Sequence, residues 1–227
     1  MFSSILDALN TFGAGLILIS AFAMVATRQV QGVVRYFVFQ SALLALCSFA
    51  LGLRANASHL WALGFITIAA KVVAIPLVLR RLLTDDFYER REISQAINIP
   101  SSLLISLALT IFAEFLSAPF VASVPIPIAR INFPIGLAGV LIGAYSLMAR
   151  REAIPQLIGI LAMENGSFFA GIAIAPELPM IAELAVAVDV VLIAVVVGLL
   201  TRHIRIAIGT TEAAALRELK EEPVTWH

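Results

Sequence analysis

The chain has 227 residues, 61% of them hydrophobic and only 13% charged, with equal numbers of basic and acidic residues and a mean hydropathy of +1.00. A soluble domain is about half apolar; zero net charge says nothing about a nucleic-acid partner, and no basic patch suggests one, so none is expected. A single cysteine, Cys47, excludes a cysteine-ligated iron–sulfur or zinc site within the chain.

The apolar excess falls into runs of roughly 18 residues or more, the length that crosses the hydrocarbon of a bilayer as a helix. Seven such spans are expected. The first, Ser4–Thr27, lacks a basic leader and a small-residue cleavage site and reads as a retained helix. The second, Val33–Leu53, contains Cys47, which reads as a small buried hydrophobe. The third, Ser58–Arg80, carries Lys71 just past its middle and Pro76, which should kink its end. A polar stretch, Thr84–Gln95 (TDDFYERREISQ), reads equally as a short interfacial helix or a solvated loop. The fourth span, Ile99–Ala118, starts with Pro100, where a missing N–H is harmless, and has Glu114 about a turn inside its far end. The fifth, Ile126–Ala149, puts Gly136, Gly139 and Gly143 on one face, a pattern for close helix packing. The sixth, Ile154–Ile174, has Glu164 near its middle. The seventh, Met180–Arg202, has Glu183 near its start and Asp189 near its middle. The tail stretch Thr211–Lys220 (TEAAALRELK) is a good short helix ended by Pro223, suited to lie on a neighbouring protein or the membrane surface. Residues 1–120 thus form a four-helix region, 121–205 a three-helix region and 206–227 a cytoplasmic tail.

Basic residues set the orientation. With the N-terminus outside, the inner segments hold twelve: Arg28, Arg35, Arg80, Arg81, Arg90, Arg91, Arg150, Arg151, Arg202, Arg205, Arg217 and Lys220. The outer loops hold only Arg54 and Arg130, and an even number of spans breaks this alternation.

Ionisable groups within the spans carry the most information about function. Each costs at least about 2.5–3.5 kcal/mol at the bilayer centre, so it faces the bundle interior and has a task. The candidates are Glu164, Asp189, Lys71, Glu183 and Glu114. One reading makes them proton carriers, which load and release a proton as a neighbouring charge moves. The other makes them pairs that hold helices together. Glu164 and Asp189, at mid-depth on consecutive antiparallel helices, favour the first. Lys71 suits a relay or a structural counter-ion, and Glu114 and Glu183 favour a contact with interfacial water. Glu183 and Asp189 are six residues apart, about 240° around a helix, and share no face. His59 and His203 stand at span ends without the spacing of a metal site, and neither a Gly-rich phosphate loop nor a nucleophile–base arrangement is present. No cofactor or metal is expected.

The stretch Arg150–Gly166 (RREAIPQLIGILAMENG) resembles subunit K of bacterial NADH-quinone oxidoreductase, chain 4L of mitochondria, in Arg150, Arg151, Leu157, Ile158, Gly159, Met163 and Asn165 at the same spacing. Ala185–His203, an Ala-rich run with an inner acid and a Leu-Leu-x-x-His end, is similar to that family's next helix, so the likeness covers roughly Pro134–Arg205. Two departures stand out. The family's first membrane glutamate falls at Leu161 here, whereas the glutamate of this chain is Glu164, on nearly the same face one turn along. The second falls at Val191, whereas the acid here is Asp189, about 200° away on a helix. The longer chain resembles the hydrogenase-4 component E family in Lys71–Leu83 (KVVAIPLVLRRLL), Ile97–Leu104 (INIPSSLL) and Met163–Gly166 (MENG).

These resemblances imply an all-α, polytopic membrane subunit of a complex I-like nickel–iron hydrogenase assembly in the cell inner membrane. Its partners there are antiporter-like and other membrane subunits and the lipid bilayer. Its implied role is part of the proton or sodium path, with hydrogen chemistry and electron transfer in other subunits. The alternatives are a non-conducting scaffold of the same arm and a subunit of a cation/proton antiporter complex.

Overall fold

A computed structural model of the chain describes residues 2–82, 97–123 and 127–174. The expected seventh span with Glu183 and Asp189, the Thr84–Gln95 stretch and the Thr211–Lys220 tail lie outside the described residues.

The described residues are all helical, with no strand among them. In chain order they are α1 (Phe2–Ala26), α2 (Val30–Ala55), α3 (Ser58–Thr67), a π-helical stretch (Ile68–Ala74), α4 (Ile75–Leu82), α5 (Ile99–Ser123), α6 (Ala129–Ala149) and α7 (Ala153–Ile174). Among the described residues, five helical stretches are long and apolar enough to cross a membrane: Ser3–Ala26, Val30–Ala55, Ser58–Arg80, Ile99–Ser123 and Ala129–Ala149. Helices are the form such runs must take, because lipid offers backbone N–H and C=O groups no partners. The turn after α2 is tight: Asn56 takes a left-handed conformation (φ 51°), and the chain re-enters helix at Ser58.

Two elements depart from the sequence expectation. The third span does not simply bend at Pro76. It widens into the π-helical stretch just before the proline, and the Ile75 N–H reaches back five residues to the Ala70 carbonyl. Pro76 has no N–H to donate, and its ring crowds the carbonyl four residues earlier, so an extra residue in the preceding turn relieves both. The fourth span does not stop at Ala118 but runs through Pro119 to Ser123. Within the turn before that proline, the Ser117 hydroxyl donates to the Glu114 carbonyl at 2.9 Å, whereas the carbonyl that Pro119 leaves without its helical N–H is that of Phe115. Glu114 is therefore nine residues from the end of α5, about 13 Å along the axis, and not one turn from it.

α6 and α7 form an antiparallel hairpin with the closest packing in the molecule. Its seam is made of glycine. A Cβ on Gly136 would lie 2.6 Å from the Gly166 carbonyl oxygen, one on Gly143 2.8 Å from the Met163 nitrogen, and one on Gly166 2.6 Å from the Gly136 oxygen. α1 and α2 form a second hairpin, with α1 laid on α6 and α2 on α7; α5 packs on α6, and the third span packs on α2.

The apolar core is divided into two clusters. One holds Phe37, Ile75, Leu79, Ile142, Ile158 and Leu161, the other Ile17, Leu44, Leu63, Phe168, Phe169 and Ile172. The division falls at one level of the bundle: between Phe37 and Leu43 in α2, between Leu63 and Ile75 in the third span, and between Ala162 and Phe168 in α7. Gln40, Ser41, Thr67, Lys71, Glu164 and Asn165 lie in those gaps, and all are buried.

Candidate functional site: a buried charge layer

Lys71 sits on the π-helical stretch and is completely buried. Its ammonium nitrogen lies 3.1 Å from Oε2 of Glu164 on α7 and donates to Oδ1 of Asn165 at 3.1 Å. The same nitrogen lies 4.9 Å from the centre of the Phe168 ring, one turn further along α7, where the face of the ring adds attraction for a cation. Three side chains of one helix thus receive a single ammonium. The widened turn before Pro76 sets the phase at which Lys71 meets α7, and π-bulges recur at functional sites for this kind of reason.

Asn165 joins this pair to α2. Its amide nitrogen donates to Ser41 Oγ at 2.9 Å and to Gln40 Oε1 at 3.3 Å, while Gln40 makes a long 3.5 Å contact with the Ile17 carbonyl of α1. The layer therefore spans α1, α2, the third span and α7. Ser48 and Thr67, whose hydroxyls are buried without a hydrogen-bond partner among the described residues, lie about two turns beyond Ser41 and one turn before Lys71 in their helices. Chemically the layer can hold one positive and one negative charge in contact, away from water, and shift that balance by one proton.

Polar clasps flank the layer on either side. Asn10 and Asn132 form a reciprocal amide pair between α1 and α6 at 2.9 and 3.0 Å. Toward the opposite end, Tyr145 donates to Ser102 Oγ at 2.8 Å, tying α6 to α5. The Arg150 guanidinium, just past α6, donates to the Met24 carbonyl in the last turn of α1, where carbonyls have no intrahelical donor and a cation is favoured. Burial pushes the Arg150 guanidinium down to about 10, an effect opposed by the Glu152 carboxylate, so it stays charged near neutral pH.

Of the residues singled out from sequence, the structure brings Lys71 and Glu164 together. It sets Glu114 apart, exposed on α5, and Glu183 and Asp189 lie outside the described residues. Asn165, Gln40 and Ser41 escape a search restricted to ionisable groups. For Gln40 and Ser41 the available signal is polarity alone, an uncharged polar side chain inside an apolar run; Asn165 has in addition its place in the resemblance to subunit K. Arg150 counts as a loop cation in the charge tally, yet it is 3% exposed and caps a helix of the other hairpin.

No family model matches the chain, and no solved structure matches it. It is 30% identical over 210 residues to the uncharacterized protein Rv0085 of Mycobacterium tuberculosis, an alignment covering 92% of this chain and 95% of that protein. It is 28% identical over 217 residues to hydrogenase-4 component E of Escherichia coli K12 and, with the same figures, of Shigella flexneri; these alignments cover 91% of this chain and 95% of each relative. The distant likeness to hydrogenase-4 component E supports a membrane hydrogenase-related family, and with the mycobacterial identity running over nearly the full length of both proteins, this chain belongs to the same family as Rv0085.

Proposed function

We propose that the chain is a membrane-arm subunit of a hydrogenase-type complex and that the Lys71–Glu164 pair forms part of its proton path. The observation that carries this reading is an ion pair at 3.1 Å, buried at the level where two apolar clusters part. Burying two charges costs several kcal/mol per ion, roughly, before their attraction offsets it, and packed apolar residues often do as well, so stability alone is a weak reason for such a pair. A proton reaching Glu164 neutralises the carboxylate and releases the ammonium, which the Asn165 carbonyl and the Phe168 ring still hold. Loss of that proton restores the pair. Each cycle moves one charge without moving a helix. The likeness of Arg150–Gly166 to subunit K supports the same reading, with Asp189 as a second carrier on the path and Glu183 as a further candidate.

Glu164→Gln tests it. Glutamine keeps the size and much of the hydrogen bonding but removes the titratable proton. Proton uptake into membrane vesicles, normalised to assembled complex, should fall, and assembly should survive. Asp189→Asn should act in the same direction, and the double variant should lose no more than the larger single loss, because both interrupt one path. Normal pumping in both single variants with normal assembly would leave the scaffold reading.

A further inference from the structure

Among the described residues, the layer around Lys71 leaves one acid deep within a span, Glu114, unused. α5 is, among the described residues, the least buried of the five helical stretches long enough to span, with only 17% of its apolar window buried, against 39% or more for the others. One stripe of it, Leu104, Leu107, Ile111 and Glu114 at helical spacing, is exposed along its length, and Phe115 beside it is 77% exposed. An apolar stripe alone is what lipid requires. A carboxyl in it, about 13 Å from the helix end, is not. Glu114 makes no ion pair and no side-chain hydrogen bond among the described residues.

The charge of its cover follows from the sequence. Residues 175–201 of this chain contain Glu177, Glu183 and Asp189 but no Lys, Arg or His, so they cannot supply a cation. A second copy cannot either: Lys71 is wholly buried and already paired with Glu164, and the other basic residues of its described spans, Arg35, Arg54, His59, Arg80 and Arg130, lie within five residues of a helix end, shallower than Glu114. We propose that the Glu114 stripe of α5 is the docking surface for a transmembrane helix of a different subunit, one that carries a lysine, arginine or histidine at the depth of Glu114. The inference rests on the reading of the chain as a membrane-arm subunit but not on the relay role of Glu164, and the two fail separately. Its readout is an adduct, that of Glu164 is proton uptake.

The test uses the whole complex in its native membrane, with a photo-activated phenylalanine at position 115 or 107 and, as a control, at Ile19, which is exposed on α1. The expected result is one adduct from positions 115 and 107 with another integral membrane polypeptide, the linked peptide bearing a basic residue within its apolar span. Glu114→Leu should reduce that adduct about tenfold or more by stranding the partner's cation, with the level of the chain in the membrane unchanged. Glu114→Asp should retain most of it. If Glu114→Leu lowers the level of the chain itself, Glu114→Gln makes the same comparison. Four outcomes overturn the proposal: lipid adducts only, an adduct of twice the chain's mass, a link to residues 175–227 of the same chain, or a partner adduct undiminished without the Glu114 charge.

Discussion

At Lys71 the chain faces a choice between two uses of a buried ion pair, and the thermodynamics of replacing it separates them. Lys71→Met alone leaves the Glu164 carboxylate buried without its counter-ion, a change that costs about 3–5 kcal/mol for a buried pair unless the carboxyl takes up a proton. Converting Glu164 to Gln in the same chain removes that charge and leaves a neutral layer around Asn165. Abundance of the assembled subunit should therefore fall in Lys71→Met and recover in the double variant, as read by quantitative blotting of the membrane complex. A double variant no more abundant than Lys71→Met would mean that the Asn165 and Phe168 contacts, not the charge pair, hold Lys71 in place. The sequence reveals the two charges because each interrupts an apolar run. It does not reveal that they meet, because residues 71 and 164 are ninety-three apart and no periodicity links them. Asn165, which touches the third span and α2 at once, stands in the sequence only as the neighbour of a glutamate and one position of the resemblance to subunit K, neither of which shows those contacts.

The helices themselves were far more legible than their contacts. Apolar run length locates helices for six of the expected spans to within about five residues, five of them long and apolar enough to cross a membrane, because the hydrocarbon permits one backbone solution. Proline misleads at the level of detail. Pro76 does its work a turn earlier, as a π-helical stretch, and Pro119 does not end α5 at all. The glycine face read from Gly136, Gly139 and Gly143 does correspond to a seam, and the opposite side of that seam, Gly159 and Gly166, was equally visible as small residues on the next span. Gly166 follows Asn165 directly, so the seam also fixes the approach of the charge layer. Gly166→Ala should separate α6 from α7, since its Cβ would meet backbone atoms of Gly136 and Val140 at 2.6 Å and neither can yield as a side chain end would. The expected cost is about 1–3 kcal/mol, typical of overpacking, and the expected sign is a lower melting temperature of the detergent-solubilised complex. Gly15, where a Cβ meets nothing within 4 Å, provides the matched control. Equal melting shifts at the two positions would point to glycine backbone entropy and not to the seam.

At the scale of the molecule, three levels of polar contact among the described residues cross-link the two hairpins: the Asn10–Asn132 amides, the layer of Asn165 with Ser41 and Gln40, and the Arg150–Met24 clasp. Only the middle level holds two opposite charges in contact, and it lies between the two apolar clusters. The proposed path through it needs a defined inner and outer side, and the basic residues of the sequence give the expected one. Arg28 lies in the turn after α1, and Arg150 and Arg151 in the turn after α6, whereas the turn after α2 has only Arg54 at its edge. The segments expected inside carry twelve of the fifteen Lys and Arg residues, and those expected outside carry two. Since Lys and Arg near span ends are retained on the cytoplasmic side, a reporter that is active only in the cytoplasm should be silent when fused at Met1 or inserted at Asn56 and active when fused at His227. The Asn56 insertion reports on the α1–α2 hairpin independently of the residues beyond 174. A silent Asn56 insertion with equal activity at Met1 and His227 would exclude an odd number of spans while leaving the hairpin as it is. An active Asn56 insertion would reverse the orientation of α1 and α2, and with it the side from which the proposed path reaches Glu164.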